Sequence, residues 1–279
     1  MRIDSHHHFW KYDPSEYAWI ADSMSVLKRD FGPAELATLC KATGMEGVVS
    51  VQASQSLLET ERLIRFAETE SLVHGVIGWV PLASNGVGVE LEKLAISPWL
   101  KGVRHVVQDE SDPEFLMGAD FNEGIRRLRE FKLSYDLLVF PWQLLATIEF
   151  VDRHPDQPFI LDHIAKPAIH SAQYDSEWEL NIRELAKRPH VIGCKLSGIV
   201  TEVRDAQWSV DLLRPYWNVA LDAFGPERLM FGSDWPVILL RSEYARWVQA
   251  VEQLTGELSA DQQSAFWAGN VQRVYRLAK

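Results

Sequence analysis

Short runs of apolar and β-branched residues recur eight times along the chain, at Arg2–His7, Gly47–Gln52, Gly75–Val80, Gly102–Val106, Tyr135–Val139, Pro158–His163, Val191–Ser197 and Leu229–Asp234. Runs of this length suit buried strands, and most are followed by a segment whose apolar residues return every three or four positions, the period of an amphipathic helix. The separation between starts runs from 23 residues (Tyr135 to Pro158) to 45 (Arg2 to Gly47), room for a crossover helix each time. Helix punctuation agrees. Ser56-x-x-Glu59, Ser176-x-x-Glu179 and Ser259-x-x-Gln262 read as capping boxes, and Asp120-x-x-Glu123 imitates one. Pro33 opens one helix and Gly44 closes it. Eight βα units in succession predict an α/β protein, a single (β/α)8 TIM-like barrel over residues 1–279, in preference to an open doubly wound sheet. The longest insertion, Phe9–Asp30, follows the first strand directly and is expected to lie over the barrel mouth.

Composition narrows the picture. An apolar fraction of 47% with 24% charged residues is that of a globular chain with enough apolar area for one large closed core. The net charge of −11 disfavours nucleic acid and anionic membrane surfaces as partners, since no run of basic residues offsets it. No apolar stretch reaches the roughly 18 residues of a membrane span, and no secretory leader pattern opens the chain. Cys40 and Cys194 lie far apart in apolar segments without metal-ligand spacing and read as buried, reduced thiols. The expected compartment is the cytosol, and the expected partner a small molecule. No GxSxG elbow, P-loop or GxGxxG occurs, so serine-hydrolase, nucleotide and Rossmann readings lack their signals.

The chemistry gathers at the carboxyl ends of the runs, where barrel enzymes carry their sites. In Ile3-Asp4-Ser5-His6-His7-His8 the strand alternation puts His6 and His8 on one face, able to present two imidazoles to one ion or one water, and His7 on the other. His163 ends the sixth run, where it is either a site residue or a structural hydrogen-bond partner of the loop. Asp234 ends the eighth, beside the first in a closed barrel, and reads as a general base or ligand; the alternative is a loop N-cap. Arg104 in the fourth run offers a planar donor fork to a substrate oxygen, or a rim salt bridge. Gln52, Trp79 and Ser197 end the second, third and seventh runs at matching heights and either line the pocket or pack. Lys166 is a substrate contact or a solvated loop lysine. Trp10, Trp79, Trp142 and Trp235, among eleven tryptophans, are expected near the mouth, where they would stack on a flat apolar face.

The segments IDSHHHFW, GWVPL, KGVRH, FILDHIAKP, CKLSG, MFGSDWPV and FWAGNVQRVYRL together resemble the amidohydrolase superfamily, and within it the branch of sugar lactonases and lactonase-like hydrolases. The resemblance runs in order over nearly the whole chain. It implies a distorted (β/α)8 barrel, hydrolysis of a cyclic ester, and a site formed by His6, His8, His163 and Asp234. Those four would be the ligands of one divalent cation, Zn or Mn; the alternative is a site that works with none, because an ester needs less Lewis-acid help than an amide. One departure stands out. Metal-dependent relatives draw a ligand from strand five, whereas Tyr135–Val139 carries no His or Lys at its carboxyl end.

The leading expectation is therefore hydrolysis of a sugar (aldono) lactone in carbohydrate catabolism. Asp234 takes a proton from water, Arg104 and a histidine stabilise the oxyanion, and Asp234 or His163 returns the proton to the leaving alkoxide. A dicarboxylate or aromatic-derived lactone would require further cations at the mouth, for which Lys166, Arg204 and Arg241 are the loop candidates. A metal-dependent decarboxylase and a non-catalytic sugar-binding barrel with a vestigial site are the remaining alternatives.

Overall fold

The computed structural model of the protein describes residues 1–278. Its strands are Ile3–His7 (β1), Gly47–Val51 (β2), Val73–Gly78 (β3), Leu100–His105 (β4), Ser134–Leu137 (β5), Phe159–Leu161 (β6), Val191–Ser197 (β7) and Leu229–Gly232 (β8). They form one parallel sheet in the order β1 to β8. The circle is completed past the strand ends. The Asp234 amide donates to the His6 carbonyl at 2.8 Å, and the His8 amide donates to the Trp235 carbonyl at 2.7 Å. The buried Asp4 carboxylate ties the same seam, accepting from the amides of Ser233 and His6 and from the Tyr244 hydroxyl. A (β/α)8 barrel results.

The connecting helices are Pro33–Thr43 (α1), Leu57–Thr69 (α2), Val87–Leu94 (α3), Ala119–Leu128 (α4), Leu144–Asp152 (α5), Ser176–Ala186 (α6), Val210–Phe224 (α7) and Tyr244–Leu254 (α8). Each buries an apolar stripe on the sheet, through residues such as Leu36, Leu63, Leu91, Ile125, Val151, Leu185, Leu213 and Val251. Ser259 forms the expected capping box with Gln262, whereas Ser56 accepts from the Glu59 amide without closing its box, because the Glu59 carboxylate takes the Ala53 and Ser54 amides instead. Two expected caps are corrected. Asp175 caps α6, so Ser176 is its first helical residue, and Gly118 precedes α4, leaving Asp120 inside it. In both cases an acceptor or turn one or two residues earlier starts the helix sooner.

Beyond α8 the chain adds Ala260–Ser264 (α9), a wide helical turn at Ala265–Gly269 and Asn270–Tyr275 (α10). Ala268, Val271, Val274, Tyr275 and Leu277 pack on Ile3, Val49, Val51, Ile77, Ile160 and Met230, a second apolar cluster inside the barrel. This segment closes the amino-terminal end: a side chain on Gly75 would meet Leu277 at 3.0 Å, and one on Gly193 would meet Val274 at 3.4 Å. The opposite end is left for chemistry. There the insertion after β1 folds back over the mouth, held by the Tyr17 hydroxyl on Glu59 at 3.0 Å and the Trp19 indole on the Ala53 carbonyl at 2.9 Å. Among the described residues no helix is long and apolar enough to cross a membrane.

Candidate active site

Strands β6 and β8 are shorter than the apolar runs that announce them, and the residues gained by the loops are those of the site. His163 and Asp234 lie past the strand ends with φ of 52° and 59°. His163, Ile164, Ala165 and Lys166 are all left-handed, at 52°, 46°, 60° and 52°. Such conformations cost on the order of 1–3 kcal/mol each for residues with a Cβ and persist where the surroundings impose them. Here the imposing contacts are visible. The His163 Nδ1 lies 3.0 Å from the Ser197 carbonyl and 2.8 Å from the Ser197 Oγ, and the buried Trp178 indole donates to the Ile164 carbonyl at 2.7 Å.

One ring nitrogen or carboxylate oxygen from each of His6, His163 and Asp234 falls within 4.8 Å of the others, all three residues being buried. The His6 and His163 rings are 4.4 Å apart and those of His6 and His8 are 5.0 Å apart. Hydrogen-bond partners fix where the imidazole protons are. Carbonyl oxygens only accept, so Nδ1 of His8, 2.8 Å from the Val51 carbonyl, carries a proton, as does Nδ1 of His163. Arg104 and Lys195 only donate, and they stand 3.2 Å from Nε2 and 3.3 Å from Nδ1 of His6; the nearer acceptor is Asp162 Oδ1, 3.4 Å from Nδ1 against 3.7 Å from Nε2 to Asp234 Oδ1, which places the His6 proton on Nδ1. All three Nε2 atoms are then lone-pair donors. Nε2 of His8 is 3.2 Å and Nε2 of His6 3.7 Å from Asp234 Oδ1, itself an acceptor. Lone pairs this close to a carboxylate require a positive charge at the cluster, a proton or a cation.

Burial keeps His6 and His163 neutral, with the His163 pKa pushed down to about 4. Burial works against the Asp234 charge, but the positive charge that the cluster requires beside His163, His8 and His6 outweighs it and holds this carboxyl below the usual carboxylate range. Neutral imidazoles and an ionised carboxylate are the ligand forms of these groups. Of the four expected ligands, His6, His163 and Asp234 form this group, and His8 lies beside it with its Nε2 3.2 Å from Asp234 Oδ1.

Above the cluster opens a cavity of about 580 Å³, walled by His8, Arg104, His163, Lys166, Asp234 and residues of the mouth loop, among them Glu16 and Trp19. Several expected pocket residues lie elsewhere. Trp10 and Trp235 are buried on either side of Phe31, at ring separations of 5.3 and 5.2 Å. Trp79 falls beyond β3, which starts two residues earlier than its apolar run and ends at Gly78; its indole donates to His105. Trp142 is 61% exposed and borders a neighbouring cavity with Lys166 and Arg204. Gln52 is fully buried against Arg104, and Ser197 is buried behind His163. Arg241 donates to the Asp205 carbonyl, away from the main cavity. Trp19, in the loop over the mouth, is the aromatic wall that these tryptophans were expected to form.

The fork of Arg104 also faces inward. Nη1 pairs with Asp162 at 3.0 Å and Nη2 with the carbonyl and side chain of Gln52. Beneath it lies a buried network that was not expected from the sequence: Lys195 meets Asp136 at 2.6 Å, Asp162 at 2.9 Å and Nδ1 of His6 at 3.3 Å, and Tyr275 donates to Asp136 at 2.6 Å. The available signal was a charged residue inside an otherwise apolar strand, at Asp136 and Lys195. Strand alternation cannot say that the two face one another.

Gly198 sits at φ +57°, and a Cβ there would come 2.5 Å from the Asp234 Cβ and 2.7 Å from its Oδ2. Gly198→Ala should cost roughly 1–3 kcal/mol through overpacking and the left-handed backbone. Displacing Asp234 by about 1 Å should lower turnover on the order of 10²-fold. Thermal unfolding and kcat on one preparation check both; unchanged values would mean that Asp234 is not held by this contact.

Comparison with known proteins agrees with the fold. The chain is 40% identical to an L-fucono-1,5-lactonase of Burkholderia multivorans, over 99% of this chain and 96% of that one. It is 35% identical to an L-fucono-1,5-lactonase of Burkholderia ambifaria, over 99% and 96%. A crystal structure of an amidohydrolase from Burkholderia multivorans with bound zinc superposes with a TM-score of 0.93 at 40% identity, covering 100% of both chains. The pattern that defines the amidohydrolase family matches residues 3–277, and the chain belongs to that family.

Proposed function

We propose that this protein hydrolyses the ring ester of a neutral sugar lactone, of the L-fucono-1,5-lactone class on which the relatives act, with Asp234 as the group that takes the proton from water. The observation that carries the reading is the convergence of three imidazole lone pairs and an ionised carboxylate at the base of a 580 Å³ cavity. Binding a sugar requires no such cluster. The cavity size suits a monosaccharide. Its wall also holds the carboxylates of Glu16 and Asp109, while Arg204 and Arg241 are absent from it. That balance favours hydroxyl groups over a dicarboxylate. The Gln108 side-chain oxygen, buried at this wall without a partner, is an acceptor for one of those hydroxyls.

The residues fit a divalent cation. His163 and His8 have their Nδ1 protons committed to backbone carbonyls, the arrangement that orients imidazole ligands. Three protein ligands with an open position are those of catalytic zinc sites. We assign His6, His163 and Asp234 as the holding residues, with zinc the ion found in the Burkholderia multivorans structure. When bound, such an ion lowers the pKa of a water and polarises a carbonyl. The chain's own groups do the rest. Asp234 orients the water and accepts its proton at Oδ1 or Oδ2, and the oxygen attacks the lactone carbonyl. Lys166, in a loose pair with Glu202 at 4.0 Å, is the cation best able to meet the developing oxyanion, since the Arg104 fork is committed. Asp234 then passes the proton to the ring oxygen as the C–O bond breaks. The buried free thiols of Cys40 and Cys194 agree with a reducing cytosol.

A panel of aldonolactones followed with a pH indicator tests the reading. Neutral five- and six-membered sugar lactones should turn over, a dicarboxylate lactone should not, and exhaustive chelation should lower the rate until zinc is restored. Turnover of the dicarboxylate alone would overturn it.

A further inference from the structure

We propose that Arg104 is an internal competitor for the metal: it occupies the Nε2 lone pair of His6, so the ion and the guanidinium hold that nitrogen in turn. The proposal rests on the assignment of a divalent cation to His6, His163 and Asp234. An imidazole nitrogen has one lone pair, and Nε2 of His6 already accepts from Arg104 Nη1 at 3.2 Å. The contact is built. Asp162 anchors Nη1 at 3.0 Å and Gln52 anchors Nη2 through two oxygens, while the side chain is 3% exposed. The opposite nitrogen of His6 offers no alternative, because it faces Asp162 and the Lys195 ammonium at 3.4 and 3.3 Å. A cation entering the cluster must therefore take Nε2 from Arg104 and sit beside a second positive charge at close range. Arg104 Nε, buried without a partner, leaves the guanidinium a donor to spare when it turns.

The consequence is a site whose metal affinity is set below what its ligands alone would give, and which keeps a positive charge against His6 when the ion is gone. The test is zinc affinity, measured by competition with a chromophoric chelator on metal-stripped wild type and Arg104→Met, with folding followed by thermal unfolding. Methionine keeps the length and removes both charge and donor. Zinc should bind Arg104→Met at least about tenfold more tightly, the effect of relieving one like-charge contact at close range. Equal or weaker binding by the folded variant overturns the competition while leaving the metal assignment intact; zinc bound by neither protein overturns both. Should Arg104→Met fail to fold, crystals of wild type with and without zinc decide. Arg104 Nη1 leaves His6 Nε2 in the zinc form if the proposal holds, and an unmoved Arg104 contact beside a bound zinc refutes it.

Discussion

Asp234→Asn should lower kcat on sugar lactones by roughly 10²- to 10⁴-fold, the usual contribution of a positioned acid–base group, with the fold retained. Asparagine matches the carboxylate in shape, and the Asp234 backbone, which closes β8 onto β1, is untouched by the exchange. The amide cannot accept the water proton. It is also a poorer ligand, so zinc content should fall with activity. Measuring kcat and bound zinc together separates the two roles. Full metal with lost turnover marks Asp234 as the base alone, whereas parallel losses mark it as ligand as well. Near-normal turnover in folded Asp234→Asn would show that Asp234 is not the base and that an imidazole of the cluster, His163 or His8, takes the proton.

Asp162→Asn should be the most damaging single change to stability. Its carboxylate lies between Arg104 at 3.0 Å and Lys195 at 2.9 Å, both side chains buried. Removing the negative charge leaves two cations in the barrel with only Asp136 to balance them. Breaking one member of a buried pair costs about 3–5 kcal/mol, and at a few degrees per kcal/mol for a chain of this size Tm should fall by roughly 10 °C. Burial opposes the Asp162 charge, but Lys195, His6 and Arg104 overcome it and hold the folded carboxyl well below its ordinary value. A depressed pKa stabilises the fold above the unfolded-state value of 3.8 and the benefit is lost as pH falls through the folded value. Wild type and variant should therefore differ most near neutrality and converge in strong acid. A Tm within 2 °C of wild type at pH 7, a shift of under about 1 kcal/mol, would show that the network contributes little to stability.

Lys195 and Asp136 show how far strand alternation reaches. Each interrupts an apolar strand at an inward position, which marks it as unusual, but nothing local says that Lys195 spans to both Asp136 and Asp162 or that Tyr275, from the last helix, completes the group. Tryptophan is the converse case. Its abundance suggested a stacking surface, yet Trp10 and Trp235 are consumed in packing around Phe31, and Trp19, unremarkable in sequence, lines the cavity.

By itself the sequence determined what depends on neighbours in the chain: eight short apolar runs with helical segments between them, the Ser56 and Ser259 caps, the shared face of His6 and His8, and the placing of His163 and Asp234 at run ends. Those features follow from the periods of strand and helix and from capping chemistry, which act over a few residues. Tertiary structure decided which run ends meet. Closing the sheet brings Asp234 onto His6 and His8, turns the Arg104 fork inward onto Asp162 and Gln52, and leaves His163 to Lys166 in a left-handed turn no local preference would select. Each of these partners is dozens to hundreds of positions away in the chain, and only the packed barrel supplies the contacts that make a strained backbone and a buried cation stable.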